Sequence, residues 1–295
     1  MNEKYTLTKY RELIDEAIEK SITECRFGEP IVHEAMKYSL SIGGKRIRPV
    51  LVLEFCRICS GDIKTAIPFA VAIEMIHTYS LIHDDLPCMD DDDMRRGMPS
   101  CHIKYGEEYA LLAGDALLTA AFGAIAKSEI AEKKPEIAIK AIKALSEFAG
   151  ADGMIGGQVV DLMNENRKAS IETLETMDSL KTGALIRCAA YMGALCGGAD
   201  EEKLLSADIY ADKIGHAFQI VDDILDVIGD EKSLGKPIGS DKETGKSTYV
   251  SILGLEKSKE YAEQLTHQAV NALEVFGDEG DFLKELAFSL IRRQN

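Results

Sequence analysis

The 295-residue chain has no tryptophan, only seven prolines, and no stretch in which apolar and polar residues alternate for long. Scarce proline leaves helices uninterrupted, and the missing alternation argues against a half-buried antiparallel sheet. No segment rich in Pro, Gly or Ser divides the sequence, so a single domain over 1–295 is expected. The longest run without a charged residue, Cys188 to Ala199, has 12 residues, short of the ~20 that a membrane span needs. Met1 to Tyr5 lead into charged helical sequence with no apolar signal core. Basic residues are also few: 34 Lys and Arg against 50 Asp and Glu give a net charge of −16. That excludes a nucleic-acid binder, which needs a basic face to displace phosphate counterions. Cys56-Arg57-Ile58-Cys59 has CxxC spacing, but no second pair follows at zinc spacing, and it sits in an apolar helical run. Buried free thiols are expected, in a reducing cytoplasm.

What is present is helical period. Tyr10, Leu13, Ile14, Ala17, Ile18 and Ile22 recur at three- and four-residue steps. Pro30, Pro49 and Pro135 stand near helix starts, and Gly43, Gly61 and Gly150 at ends. Further helices are expected near 64–86, 107–128, 152–164, 171–197, 201–228, 256–276 and 280–292, giving an all-α protein. The segments 64–86, 107–128 and 182–199 are apolar on most faces and are expected to be central helices enclosed by the others. The longest irregular segment, Gly229 to Lys246, has the length of a functional loop.

The negative charge is concentrated. Residues 84–96 hold six Asp and two Arg, and residues 222–230 hold four Asp and no base, so these two short clusters carry half of the net charge. Asp222 and Asp226 are four apart, and Asp223 and Asp226 three apart, where like charges share a helix face and repel. Both clusters end an apolar helix, the negative end of its dipole. Two clusters bearing that penalty point to a cation, and an oxygen-only donor set points to Mg²⁺ or Ca²⁺. An EF-hand fails because Arg96 would occupy the position that needs Gly. Mg²⁺ keeps few protein carboxylates and completes its shell with water and phosphate oxygens, so the clusters predict a phosphorylated ligand. Gly43-Gly44-Lys45-Arg46-Ile47-Arg48-Pro49 puts three cations before a helix N-terminus, a suitable anion site. Arg95-Arg96-Gly97, Lys181-Thr182-Gly183, Lys236 and Lys246 add others.

Gly43-Gly-Lys-Arg-Ile-Arg-Pro49, Leu81-Ile-His-Asp-Asp-Leu-Pro-Cys-Met-Asp90 through Gly97, Gly156-Gly-Gln-Val-Val-Asp161, Lys181-Thr-Gly183, Phe218-Gln-Ile-Val-Asp-Asp-Ile-Leu-Asp226 and Leu234-Gly-Lys236 follow one another in order. Taken together they resemble the trans-prenyltransferase (polyprenyl synthetase) family, most closely the bacterial-type farnesyl diphosphate synthases. The resemblance implies a single-domain, all-α isoprenoid synthase helical bundle around a central cavity, working as a homodimer. By motif match it implies Mg²⁺ ligands at Asp84, Asp90 and Asp222, a cluster of three ions bound with diphosphate, supported by Asp85, Asp223 and Asp226. It places the allylic diphosphate on Arg95, Lys181, Thr182, Gln219, Lys236 and Lys246, and isopentenyl diphosphate on Lys45, Arg48, His77 and Arg96. His77 lies seven residues before Asp84, two turns down nearly the same helix face. Asp91, Asp92 and Asp93 match less specific positions and are read as a solvated or water-linked rim.

The implied reaction is head-to-tail condensation of isopentenyl diphosphate with dimethylallyl and geranyl diphosphates, giving farnesyl diphosphate and diphosphate. In the family, bulk before the first Asp motif limits the tail. Tyr79 and Ser80 stand five and four residues before Asp84, roughly 6–8 Å along the helix. Three alternatives stand beside this reading: a geranylgeranyl diphosphate synthase, a terpene cyclase, and a non-catalytic partner subunit. A cyclase should lack the second Asp motif and the Lys45–Arg48 site, and a non-catalytic subunit should have lost one Asp motif.

Overall fold

A computed structural model describes residues 6–22, 29–164, 169–228 and 247–292. The chain forms two compact units, Met1–Lys143 and Ala144–Asn295.

The first unit begins with α1 (Leu7–Ser21), whose Thr6 hydroxyl accepts the Lys9 amide as an N-cap, and whose Tyr10, Ile14 and Ile18 face inward. Next come α2 (Ile31–Ser41), α3 (Ile47–Ile58) and α4 (Ile63–Asp84). Helix α4 starts on an Asp62 cap and buries residues around its whole circumference, among them Phe69, Ile73, Met75, Ile76 and Tyr79. At roughly 1.5–3 kcal/mol for each large apolar side chain, α4 is the principal core element of this unit. It stops at Asp84, short of the expected residue 86, because Pro87 cannot continue it. A hairpin follows, β1 (Met94–Arg95) against β2 (Met98–Pro99), then α5 (Cys101–Tyr105), α6 (Glu107–Ala126) and α7 (Glu129–Lys133). α8 (Pro135–Ala149) begins before the boundary at residue 143.

The second unit holds α9 (Met154–Asn164), α10 (Ile171–Asp178), a π turn (Ser179–Gly183), α11 (Ala184–Cys196) and α12 (Glu201–Ile228). After these come α13 (Tyr249–Leu253), α14 (Leu255–Ala272), a 3₁₀ segment (Leu273–Gly280) and α15 (Asp281–Ile291). The 28-residue α12 packs along α14, with Ala217, Ile220, Val221, Ile224 and Leu225 meeting Tyr249, Ala262 and Leu265. Tyr210 in α12 is fully buried and donates its hydroxyl to the Leu283 carbonyl, 2.9 Å away.

The all-α expectation holds, with three corrections. The hairpin was not foreseen, since two-residue strands are too short to show alternation. The expected helix near 171–197 is interrupted by the π turn. Helix α6 is not enclosed: Ala110, Ala113, Gly114, Leu117, Ala121 and Ile125 form one buried stripe, while Tyr109, Leu111 and Leu112 are exposed. Its two apolar faces look alike in sequence, and only one meets α4 in this chain. By length and composition α4 and α6 could each cross a membrane, although α4 is mostly buried. The charge-free count misses them because Glu74 and Asp115 interrupt the two runs. Cys56, Cys59, Cys101, Cys188 and Cys196 are buried free thiols, and Cys88 is exposed.

Candidate active site

The first unit gathers one group of predicted residues at the C-terminal end of α4. Beyond Asp84 the chain doubles back, and the Asp90 amide donates to the Asp84 carbonyl at 2.8 Å. The four residues between Asp85 and Asp90 therefore return Asp90 to Asp84, consistent with Asp90 closing the motif. Asp91 takes a positive φ of 53° as the chain leaves this loop. Asp85 caps α4 and is buried. Its carboxylate accepts both Nε and Nη2 of Arg95, with Nε 2.9 Å from Oδ1. Arg95 also reaches Asp92, at 3.4 Å. Burial raises the Asp85 carboxyl, against the pull of Arg95. Asp85 thus orients the predicted diphosphate ligand Arg95, and Asp92 of the supposed rim shares the task.

Arg96 and Gly97 form the two-residue turn between β1 and β2, both with positive φ (54° and 78°), as a type I′ hairpin requires. This turn lays the Arg96 guanidinium against the glycine loop, where Nη1 donates to the Gly43 carbonyl. Arg48 lies near by, and burial lowers its guanidinium to about 10, still protonated at neutral pH. Among the described residues, Arg48 Nε is buried without a hydrogen-bond partner. Burial, then Arg48, Arg96, Arg46 and Arg95, hold the His77 imidazole well below its ordinary range and keep it neutral. Arg48 and Arg96 thus place positive charge beside a neutral imidazole in an acidic protein, chemistry suited to an anion. Lys45 is exposed on the same loop.

Tyr79 is buried, and among the described residues its hydroxyl has no partner. Burial, and secondarily Asp84, push the phenol up to about 12, so it stays protonated. Its ring meets His83 edge-on at 5.6 Å, and His83 Nε2 donates to the Leu111 carbonyl of α6 at 3.1 Å. Ser80, half-buried, donates to the His77 carbonyl.

The second unit holds the other predicted residues on α12 and the π turn. Gln219, Asp222, Asp223 and Asp226 line the last turns of α12, all half-buried. Asp223 accepts the Tyr249 amide at 2.7 Å, tying α12 to the start of α13, whose N-cap is Thr248. Lys181 and Thr182 sit in the π turn, a widened turn of a kind frequent at functional sites. Lys181 Nζ donates to Asp161 Oδ2 at 2.6 Å. A Cβ on Gly157 would lie 2.2 Å from the Lys181 backbone nitrogen, so α9 can pack this closely only with glycine there. From the other side, a Cβ on Gly215 of α12 would lie 3.2 Å from Gly183 Cα. Lys236, Lys246 and the rest of 229–246 lie outside the described residues.

Several functional neighbours were missed from sequence. Asp161 closes the Gly156–Asp161 motif, and its spacing, four residues after Gly157, puts it on the face turned to Lys181. Asp178, just before the π turn, is buried beside Tyr249, and burial pushes its carboxyl up to about 6 against the pull of Tyr249, His216 and Lys181. Nothing in the sequence marks it, because its environment comes from α12 and α13. Among the described residues, no three His, Cys, Asp or Glu side chains converge closely enough to enclose a metal by themselves. Asp84, Asp90 and Asp222 offer oxygen donors alone, the ligand type that magnesium takes in ones and twos, with water and phosphate oxygens completing its octahedron.

Comparison with known proteins gives the family. A polyprenyl synthetase family model matches residues 29–284. The farnesyl diphosphate synthase of Escherichia coli is 43% identical over 283 residues, covering 95% of each chain. The geranylgeranyl diphosphate synthase of Cyanophora paradoxa is 43% identical over 291 residues, covering 98% of this chain and 96% of its own. A crystal structure of a geranyltransferase from Helicobacter pylori, complexed with magnesium and isoprenyl diphosphate, is 34% identical with a TM-score of 0.84 over 97% of this chain and 95% of that one. The helices are those of the isoprenoid synthase fold, and the chain belongs to the polyprenyl synthetase family, as a prenyltransferase that elongates isoprenoid chains.

Proposed function

We propose that the enzyme condenses isopentenyl diphosphate with dimethylallyl and then geranyl diphosphate, and that its main product is farnesyl diphosphate. The observation that carries the substrate class is the positive charge of Arg48 and Arg96 about neutral His77, beside the Asp84–Asp90 loop. Arg48, Arg96, His77 and Lys45 would hold the diphosphate of isopentenyl diphosphate, whose oxygens supply the acceptor that buried Arg48 Nε lacks. Arg95, Lys181, Thr182 and Gln219, with Lys236 and Lys246, would hold the allylic diphosphate. By motif match Asp84, Asp90 and Asp222 would be the magnesium ligands, and the similar Helicobacter pylori geranyltransferase is complexed with magnesium and isoprenyl diphosphate. Bound there with the diphosphate, magnesium would neutralise charge on the leaving group.

The allylic C–O bond breaks, and its electron pair leaves with diphosphate, whose charge the predicted cationic ligands would offset. The isopentenyl double bond attacks the allylic cation, forming the new C–C bond. A proton is then lost from the resulting cation to the released diphosphate. Asp85 and Asp161 hold Arg95 and Lys181 in place, so the charge is positioned before the bond breaks. The uninterrupted family match across residue 143 supports one functional domain over 1–295, and we retain a cytoplasmic setting.

Relatives bearing both product names are equally similar, so product length rests on Tyr79. Its buried ring, five residues before Asp84, would stop the growing tail. Tyr79→Ala is expected to move the main product from fifteen to twenty or more carbons. Incubation with isopentenyl diphosphate and each allylic primer, followed by chain-length analysis, checks this, and an unchanged length would overturn the assignment. The cyclase and partner-subunit readings lose ground because both Asp motifs and the Lys45–Arg48 site are complete.

The exposed Tyr109, Leu111 and Leu112 face of α6 supports a homodimer, a second copy covering what this chain leaves bare. Leu111→Asp with Leu112→Asp is expected to yield monomers by light scattering. A variant that stays dimeric would put the interface elsewhere.

A further inference from the structure

Lys45 lies on the loop joining α2 to α3 and Arg48 in the first turn of α3, and the residue between them that fixes the loop, Arg46, turns inward. Its guanidinium is buried and its three nitrogens reach three helices. Nε donates to Asp15 of α1 at 2.9 Å, Nη1 to Glu74 of α4 at 2.5 Å, and Nη2 to the Leu40 carbonyl in α2 at 2.6 Å. The Arg46 backbone is left-handed, with φ 52° and ψ 31°, and its side chain does not cap α3. A non-glycine residue holds that conformation only where its surroundings over-determine it. Glu74 is itself buried and stands three residues before His77, so one carboxylate anchors Arg46 and lies a turn below the histidine. Arg96 and Arg11 bind the Gly43 and Gly44 carbonyls of the same loop.

Building on the proposed isopentenyl diphosphate site, we propose that Arg46 and Glu74 are a positioning pair for it: they touch no substrate and lock the left-handed turn that sends Lys45 and Arg48 toward the diphosphate. A buried ion pair is often replaceable by apolar residues with no loss of stability, so stability alone does not explain it. Lysine keeps the charge at 46 but lacks the fork that reaches three partners at once.

The test compares Arg46→Lys, Glu74→Gln and the double variant Arg46→Met with Glu74→Met. For Arg46→Lys, KM for isopentenyl diphosphate is expected to rise about tenfold or more, while KM for geranyl diphosphate and kcat stay within about twofold. In the double variant Tm should return close to wild type while KM for isopentenyl diphosphate stays raised. That split separates positioning from packing and holds even if a single variant fails to fold. A KM that recovers together with Tm, or both KM values rising alike, would overturn the proposal. The wild-type assay tests the functional reading by itself. No turnover with any allylic primer removes that reading and this proposal with it; normal turnover with an unchanged isopentenyl diphosphate KM in Arg46→Lys removes this proposal alone.

Discussion

Asp84→Ala is expected to lower kcat by about 10³-fold or more, without rescue by excess magnesium, while Tm changes little. The loss follows from its place: Asp84 ends α4, its carbonyl accepts the Asp90 amide, and its carboxylate stands in the motif read as the metal-binding one. Removing one preorganised contact to developing charge commonly costs about 10²–10³-fold. Losing a metal ligand removes more, since the cation acts on the whole leaving group. The stability effect is small. A carboxylate at the negative end of a helix dipole is unfavourable by about 0.3–1 kcal/mol, and the attraction of Arg95 offsets that. Single-turnover kinetics with thermal unfolding on the same samples decides the matter. Near-normal turnover in Asp84→Ala would remove Asp84 from the metal site.

Gly157→Ala should produce the second large effect, through packing. The added methyl would sit 2.2 Å from the Lys181 backbone nitrogen and 2.6 Å from its Cα, and backbone cannot swing aside as a flexible side chain can. Either α9 or the π turn must shift, stretching the 2.6 Å bond from Lys181 to Asp161. Overpacking of this kind costs about 1–3 kcal/mol, and a misplacement near 1 Å at a charged ligand costs on the order of 10²-fold in rate. Denaturant midpoints should fall, and KM for the allylic substrate should rise more than KM for isopentenyl diphosphate. Gly123→Ala in α6, where a Cβ would meet nothing within 4 Å, is the matched control and should leave both unchanged. Equal behaviour of the two variants would mean that the π turn is not held by this contact.

Much of this architecture is legible in the chain. The apolar period gives most of the long helices within a few residues, because a buried stripe and a capping Thr6 or Asp62 are local. The Asp clusters stand out because repelling carboxylates near helix ends need a reason. What sequence does not give is which neighbour each group meets. Asp85 could equally have faced a metal, yet the hairpin brings Arg95 onto it. Asp223 looks like its neighbour Asp222, but the return of the chain at Tyr249 puts an amide on it. The two apolar faces of α6 cannot be ranked without knowing where α4 lies. Arg46 sits between two predicted ligands, and only its partners in α1, α2 and α4 show that it faces inward.

Cys88 lies between Asp85 and Asp90 and is exposed, whereas the other cysteines among the described residues are buried. Burial raises the thiols of Cys56, Cys101 and Cys188, which slows their reaction further. Among the described cysteines, thiol-directed reagents therefore have a preferred target inside the first Asp loop. A small environment-sensitive fluorophore attached at that sulfur would stand within a few residues of Asp84 and Asp90. It would report diphosphate arrival and departure in real time, without an engineered cysteine.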